Sequence, residues 1–198
     1  MTERARRAQV VAAAIETIAE EGYPRASFSR IARRAGLSST GLISYHFAGK
    51  ADLMSEVTQD ILGRFAEHVL AQSDDGSPAG ELRTFIRANL EFMSAHRLDM
   101  LALARIQAHQ PIAGQAEVDG EPPVTVVAQD QRRLAEVLRR GQDTGQFRPF
   151  DPQVVAGFIL ALRNHVIEQS ADPAADMTAI GTELESTVSA MITITGER

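Results

Sequence analysis

The sequence predicts an all-α protein in which a small N-terminal three-helix unit precedes a larger helical region. Apolar residues recur at helical spacing along most of the 198 residues, and the alternation typical of strands is nearly absent. Three prolines directly follow capping side chains, which is typical of helix starts. With 44% hydrophobic residues, the chain can bury a substantial core.

The first four helices are predicted from periodicity and from their end signals. The first spans about Arg4 to Glu21 and ends at Gly22, and two short helices follow near Phe28 to Ala35 and Ser39 to Phe47. A long fourth helix starts near Gly49 and continues to the segment SDDGSP. Its apolar residues recur at steps of four: Leu53, Val57, Ile61, Phe65 and Val69.

Later helices are predicted to begin at prolines that follow capping residues: Ser77-Pro78, Asp151-Pro152 and Asp172-Pro173. Further helical patterns span Leu82 to Met93, Leu98 to Ile106 and Val126 to Arg140, with a bend at His96-Arg97. The segment from Pro111 to Pro123 is rich in Gly and Pro and is predicted to be a long loop.

Charge and composition narrow the function classes. Residues 1–50 carry eight basic and four acidic groups, whereas residues 51–198 carry 12 basic and 22 acidic groups. A basic head on an acidic body indicates a phosphate-bearing partner, with chance unevenness as the alternative. The absence of cysteine excludes disulfides and Cys-based zinc sites. The longest apolar run, Val154 to Leu162, is about half of a membrane span, so we expect a soluble cytoplasmic protein with no membrane partner.

Residues 29–53, SRIARRAGLSSTGLISYHFAGKADL, have the spacing of two helices that cross at a tight turn. Gly36 can adopt the positive φ of that turn, and Ser38 is expected to cap the second helix. Such a helix can enter a DNA major groove. The apolar residues around the turn are expected to form a shared small core: Ile31, Ala32, Ala35, Leu37, Leu42 and Tyr45.

The predicted DNA contacts lie on this segment. For each polar side chain of the second helix, simple solvation is the alternative. Lys50, the only lysine beside 19 arginines, is expected to clamp a phosphate at the start of the fourth helix. Of Arg30, Arg33 and Arg34, two are expected to touch phosphates. The DNA-binding set is Arg30, Arg33, Ser38, Ser39, Thr40, Ser44, Tyr45, His46 and Lys50.

The segment IARRAGLSSTGLISYHFAGKADL, preceded by AAIETIAEEGY, resembles the DNA-binding domain of the TetR family of bacterial transcriptional regulators. The resemblance implies a helix-turn-helix DNA-binding domain at residues 1–50 and a helical effector-binding and dimerisation domain at residues 51–198. It also implies a homodimer on a palindromic operator in double-stranded DNA, most often a repressor that a small-molecule effector releases through movement of the fourth helix. Ser44 departs from the aromatic residue that many members place there.

Two residue sets are predicted in the larger domain, with ordinary core packing as the alternative for each. The last two helices are expected to form the dimer interface: Val155, Phe158, Ile159, Leu162, Val166, Ile180, Leu184, Val188 and Met191. The effector pocket is expected at Phe85, Phe92, Met93, Met100, Leu103, Ile106, His109, Phe158, Asn164 and His165. Asn164 and His165 lie in the most apolar helix, so we expect them to be buried and to have partners.

Three other functions remain as alternatives. An enzyme is disfavoured because the chain has no HExxH, GxSxG or phosphate-cradling glycine loop. A metal-sensing regulator lacks clustered ligands, so no metal and no cofactor are expected. Ser44 is consistent with a regulator that has lost DNA binding and acts through protein contacts, whereas Lys50 and the clustered arginines favour DNA binding. The sequence leaves repression and activation open.

Overall fold

The computed structural model of the protein describes residues 2–109, 126–170, 172 and 174–193. The regular structure in these ranges is helical throughout, which confirms the predicted fold class. In chain order the helices are α1 Glu3–Glu21, α2 Phe28–Arg34, α3 Gly41–His46, α4 Lys50–Leu70, α5 Pro78–Ala95, α6 Arg97–Gln107, α7 Val126–Asp143, α8 Pro152–Ser170 and α9 Met177–Ile192. A short 3-10 helix, Tyr23–Arg25, lies between α1 and α2.

The described residues divide into two compact units. The first contains residues 2–67 and 95–109, and the second contains the described parts of 68–94 and 126–193. Helix α4 therefore begins in the first unit and ends in the second, and helix α6 belongs to the first. We predicted a functional boundary at residue 50, between a DNA-binding domain and an effector-binding domain. That boundary stays a prediction.

In the first unit, α1 is the central helix. Between Val10 and Ala19 every residue is buried except Ala12 and Glu16, and α2 and α6 pack against this helix. This follows from the apolar stripe that recurs at three- and four-residue spacing along α1. Gly22 ends the helix at a φ of 89°, and its amide donates to the carbonyl of Ile18 at 3.0 Å. A residue with a Cβ atom rarely adopts that φ, so the glycine fixes the corner that leads to α2.

In the second unit, α8 packs against both α7 and α9. Its buried residues face its own chain, as expected for a helix that is apolar nearly all round. Helix α5 joins the same unit through an ion pair between Glu81 and Arg140 on α7. Leu90 of α5 also packs where Gly181 of α9 leaves room, because a Cβ atom there would lie 3.2 Å from the leucine side chain.

Two of the three predicted proline starts are confirmed. Helix α5 begins at Pro78, where the Ser77 hydroxyl accepts the amide of Gly80 at 3.0 Å. Helix α8 begins at Pro152, behind the carboxylate of Asp151. The bend at His96 is confirmed as well, because α5 ends at Ala95 and α6 begins at Arg97.

The third predicted start was wrong. Helix α9 begins at Met177, and the carboxylate of Asp176 caps it by accepting the amides of Thr178 and Ala179 at 3.0 and 3.1 Å. Asp172 instead accepts the amide of Ala174 at 2.9 Å, so it forms a turn before the helix. An aspartate side chain supports either structure, and here the second aspartate makes the helix cap. Pro173 and the predicted loop Pro111–Pro123 lie outside the described residues.

Candidate nucleic-acid interface

The turn between α2 and α3 has the predicted backbone geometry. Gly36 has a φ of 64°, and the amide of Leu37 donates to the carbonyl of Ala32 at 2.9 Å. The side-chain amide of Gln9 on α1 also donates to the carbonyl of Ala35 at 2.6 Å. The turn is therefore closed from within and held by α1.

The small core beside this turn differs from the predicted one. Ile31, Ala32 and Ala35 are buried as expected, but Leu42 is 38% exposed and Tyr45 is 77% exposed. Two other residues, Ile43 and Phe47, are buried in their place. Because Ile43 and Phe47 are four residues apart, they share one face of the turn that ends α3, and Tyr45 is directed to solvent.

Ser38 does not cap the recognition helix, contrary to our expectation. Helix α3 begins at Gly41, and its N-cap residue is Thr40, whose side chain makes no capping hydrogen bond. Thr40 has helical φ and ψ values of −71° and −16°, so its hydroxyl is not in the extended geometry that capping requires. Ser38 is an exposed residue of the turn, three residues before the helix.

The solvent-facing side of α3 is polar. Ser39, Thr40, Ser44 and Tyr45 are all exposed, so they are accessible to a partner, and their contacts with DNA stay predictions. His46 is not on this side, contrary to our expectation: its side chain is 7% exposed and its Nδ1 lies 3.9 Å from Oε1 of Glu3. The last turn of α3 places it against the N-terminal end of α1.

Arg7 holds the end of the recognition helix, a role that our reading of the sequence missed. Its guanidinium donates to both carboxylate oxygens of Glu56 on α4, at 3.1 and 2.7 Å. It also donates to the carbonyl of His46 at 3.0 Å and lies 4.6 Å from the centre of the Phe47 ring. The signal was present, because Arg7 continues the stripe formed by the buried residues Val11 and Ile15.

Lys50 faces the corner between α1 and α2. Its ammonium group donates to the carbonyl of Tyr23 and lies 4.2 Å from the centre of the Tyr23 ring. Burial lowers the pKa of Lys50 from its ordinary value. The group therefore anchors the start of α4, and its predicted contact with a phosphate needs the ammonium to turn outward.

The three arginines of α2 differ in their surroundings. Arg30 forms an ion pair with Glu21, and Arg34 pairs with Glu16 and Glu20 on α1. The hydrogen bond from Arg34 lowers the pKa of the Glu20 carboxyl. Arg33 is exposed and makes no ion pair with any residue that the structure describes. Of the three, Arg33 is the most available to a phosphate.

The residues that we predicted for an effector pocket are divided between the two units. In the first unit, Met100, Leu103 and Ile106 are buried on α6, and His109 is exposed, with its ring stacked 4.8 Å from that of Tyr23. A cavity of about 360 Å³ in this unit is lined by none of the predicted residues. It lies among α1, α4 and α6 and is lined by Ala8, Val11, Ala12, Ile15, Glu16, Asp60, Arg64, Leu98 and Asp99.

In the second unit, Phe92 and Met93 are buried and Phe85 is half-buried, whereas Phe158 is 56% exposed. Asn164 and His165 are also exposed, so our expectation that α8 buries them was wrong. They lie on the outer side of α8, while Val155 and Ile159 occupy its inner side. Asn164 has a partner, since its Oδ1 accepts hydrogen bonds from the Arg163 guanidinium at 3.1 and 3.3 Å.

The residues predicted for a dimer interface differ in how far their own chain buries them. The half-buried residues of this set are Leu162, Ile180 and Met191. Those buried by their own chain are Val155, Ile159, Val166, Leu184 and Val188. Phe158 is exposed, and so is Val154, four residues before it on the same face of α8, at 48%. The apolar face that α8 leaves open is therefore centred on Val154 and Phe158.

The described residues offer neither a metal site nor a membrane span. They contain no group of three or more His, Asp or Glu side chains arranged to hold a metal ion. Among the helices of that same part of the chain, none is long and apolar enough to cross a membrane.

Residues 10–57 match the family model described as bacterial regulatory proteins, tetR family, and this match covers α2, α3 and the turn between them. Residues 10–57 are therefore a TetR-family segment. The chain's sequence relatives include the HTH-type transcriptional regulator BetI 1 of Chromohalobacter salexigens, which is 33% identical over 111 residues, 54% of each chain. BetI of Klebsiella pneumoniae is 34% identical over 113 residues, 54% of this chain and 57% of its own. The chain spans about half the length of the curated relatives it matches.

Solved structures of transcriptional regulators share the fold along nearly the whole chain. A TetR-like transcriptional regulator from Rhodococcus sp. RHA1 has a TM-score of 0.71 at 22% identity, covering 95% of this chain and 96% of that one. The ketosteroid transcriptional regulator KstR2 of Mycobacterium tuberculosis has a TM-score of 0.67 at 22% identity, covering 96% of each chain. At such identities the likeness establishes the fold of this chain.

Proposed function

We propose that this chain is a ligand-responsive DNA-binding transcriptional regulator, a repressor that binds a palindromic operator as a homodimer and that a small-molecule effector releases. It would act in the cytoplasm, together with the DNA that it regulates. The proposal rests mainly on the exposed polar side of α3. This helix follows the closed turn after α2, within the segment that matches the family model. Its sequence relatives are named transcriptional regulators, and the proposal includes no catalytic activity.

DNA recognition is assigned to residues 1–50. In the proposed complex α3 enters the major groove, where Thr40, Ser44 and Tyr45 meet base edges and phosphates. Arg33 supports this arrangement because it is exposed on α2, next to the turn, without an ion pair in the described chain. Arg30 and Lys50 would join the phosphate contacts after leaving Glu21 and Tyr23. Ser38 and Ser39, both exposed in the turn, complete the proposed surface.

Effector binding and dimerisation are assigned to residues 51–198. The open face of α8 supports a homodimer, since Phe158 and Val154 are large apolar residues that a second copy would cover. A two-fold dimer has a physical benefit on DNA. Two recognition helices about one helical turn apart, roughly 34–36 Å, read two half-sites and strengthen a weak single contact.

The first test is fluorescence-anisotropy binding to DNA from immediately upstream of the gene, over a series of salt concentrations. We expect tight, salt-sensitive binding by the wild type, because phosphate contacts release counterions. Arg33→Ala should weaken binding and reduce the slope of log K against log salt by about two, because each of the two subunits loses one phosphate contact. Lys50→Ala should do the same if its ammonium reaches a phosphate. Arg83→Ala, at an exposed position of α5, is the control for loss of one positive charge.

Either of two results would contradict the proposal. Binding no tighter than to unrelated DNA, both here and in a genome-wide selection of bound fragments, would favour a regulator that acts through protein contacts. An unchanged salt slope in Arg33→Ala would remove the assigned phosphate contact. For Lys50→Ala, an unchanged slope together with a lower melting temperature would restrict this residue to its contact with Tyr23.

A further inference from the structure

Asn89 has an unusual environment on α5. It is 1% exposed, and its Nδ2 donates to the carbonyl of Phe85 at 2.7 Å. Its Oδ1 is fully enclosed and has no hydrogen-bond partner among the residues that the structure describes. The orientation of this amide is fixed by chemistry, because only the nitrogen can donate to the Phe85 carbonyl and the oxygen must therefore point the other way.

An enclosed amide oxygen without a partner destabilises a fold, whereas an apolar side chain of similar shape at the same place does not. Nearly all buried polar atoms in proteins have a partner, so each exception calls for an explanation. Helix α5 buries apolar residues at the equivalent positions of neighbouring turns, Leu82, Ile86 and Met93. A polar residue in the middle of this row indicates a partner that the described chain does not supply.

The side of α5 around Asn89 is apolar and adaptable. Phe85, Phe92 and Met93 lie three or four residues from it, on the same side of α5. Methionine has no branch and three rotatable bonds, so its side chain can make room for a ligand. None of these neighbouring side chains is charged, so the region favours a neutral molecule.

A second enclosed polar atom lies beside this region. The ring of His68, in the last turn of α4, is 5.6 Å from the ring of Phe92. Its Nε2 atom is enclosed and makes no hydrogen bond with the described residues. The nearest carboxylate oxygen, on Glu91, is 3.9 Å away, which is beyond hydrogen-bond length. Two polar atoms thus border one apolar cluster within the second unit.

We infer that Asn89 is the polar anchor of the effector site. The effector is a neutral, largely apolar molecule that carries one hydroxyl or N–H group, and this group donates a hydrogen bond to Oδ1 of Asn89. This assignment rests on the proposed ligand-responsive function, adds a residue that the sequence did not single out, and names the chemistry that the effector must have.

The test uses two aromatic probes that differ in one donor, 2-naphthol and 2-methoxynaphthalene. The chain contains no tryptophan, so the fluorescence of either probe can be followed directly. We expect the wild type to bind 2-naphthol about 10- to 100-fold more tightly, because only 2-naphthol satisfies the enclosed oxygen. Asn89→Leu should reduce this preference to about 2-fold or less, while Ser94→Leu, at an exposed position on the same helix, should keep it.

A second measurement needs no ligand. Asn89→Leu should raise the melting temperature of the free protein, since it replaces an unsatisfied polar group by an apolar one. Its affinity for the upstream DNA should match that of the wild type, and 2-naphthol should release the wild type from DNA but not the variant. Probe binding and melting are measured without DNA, so they test the site even if the chain fails to bind DNA.

The inference is overturned if the wild type binds the two probes equally or binds neither, or if the preference survives in Asn89→Leu. A lower melting temperature for both Asn89→Leu and the smaller Asn89→Val would also overturn it, because it would mean that Oδ1 already has a partner in the free protein, such as an enclosed water molecule. Testing both sizes separates the loss of a hydrogen bond from overpacking.

Discussion

Replacement of Arg7 by alanine should loosen the recognition helix without removing a DNA contact. The guanidinium makes two hydrogen bonds to Glu56 and one to the carbonyl of His46, and it lies over the ring of Phe47. Both partners of the ion pair are about one-third exposed, at 37% and 33%, so the pair contributes only ~0.5–1 kcal/mol. The carbonyl and ring contacts add a further ~0.5–1 kcal/mol.

The expected loss in the free energy of unfolding is therefore ~1–2 kcal/mol, which for a chain of this size lowers the melting temperature by ~2–8 °C. Differential scanning calorimetry of Arg7→Ala beside Arg4→Ala measures it, because Arg4 is an exposed residue of the same helix. Operator affinity should also fall. The slope of log K against log salt should stay that of the wild type, since Arg7 orders α3 and is not assigned to a phosphate.

The free energy of unfolding should also depend on pH through the Glu56 carboxyl group. The hydrogen bond from Arg7 is the main cause that lowers the pKa of Glu56 below its ordinary value of 4.5. A carboxyl group with a lowered folded-state pKa stabilises the fold above its unfolded-state value, and this contribution is lost as the pH falls through the folded-state pKa. Glu56→Gln should therefore be less stable than the wild type at pH 7, and the difference should disappear in acid below both values.

Two results would refute this reasoning about Arg7. An Arg7→Ala protein that melts within ~1 °C of the wild type would show that the three contacts are energetically irrelevant, since the estimate requires at least twice that change. A reduced salt slope would mean that Arg7 itself contacts a phosphate, and its role would then be recognition and not the ordering of α3.

Two further predictions concern α6 and α8. The Arg105 guanidinium donates to the carbonyls of Ile18 and Ala19 at 3.0 and 2.9 Å. Arg105→Gln should therefore speed amide hydrogen exchange at the end of α1. Arg105→Lys should restore part of the protection, because it keeps a positive charge at the C-terminus of that helix. Phe158→Glu should convert a dimer into a 21.5 kDa monomer, as measured by light scattering. Gln153→Glu is the control for added negative charge. A wild type that is already monomeric would contradict the assigned interface.

The sequence predicted the elements whose signals are local. Gly36 is one example, because its positive φ is a property of glycine itself. The break between α5 and α6 is another, since α5 ends at Ala95 and α6 begins at Arg97, where we predicted a bend. Ser38 shows the limit of such signals. A serine before a short helix is a favourable cap, but the register of α3 depends on Ile43 and Phe47 reaching the core, and that packing starts the helix at Gly41.

The burial of α8 could not be derived from its composition. An almost wholly apolar helix can lie between its own chain and a partner. Its composition does not reveal which of its residues face the chain and which face the partner. The structure assigns Val155 and Ile159 to the inside and Asn164 to the outside. Asn89 illustrates the opposite case: a single amide within an amphipathic helix carries no local signal, and only the packing of α5 shows that its oxygen is enclosed.

The predicted DNA-binding head depends on residues that lie beyond its boundary at residue 50. Glu56 of α4 positions Arg7 beside the end of α3, and Arg105 of α6 holds the last carbonyls of α1. The ring of Tyr23 is 4.8 Å from that of His109 and 4.2 Å from the ammonium group of Lys50, so one aromatic ring links the segment after α6 to the start of α4. Because these contacts are directional, a small shift of α6 relative to α1 would break them before it disturbed the apolar core. Within the first unit, α6 is therefore linked by side-chain contacts to both helices that hold α3, to α1 through Arg105 and to α4 through Tyr23.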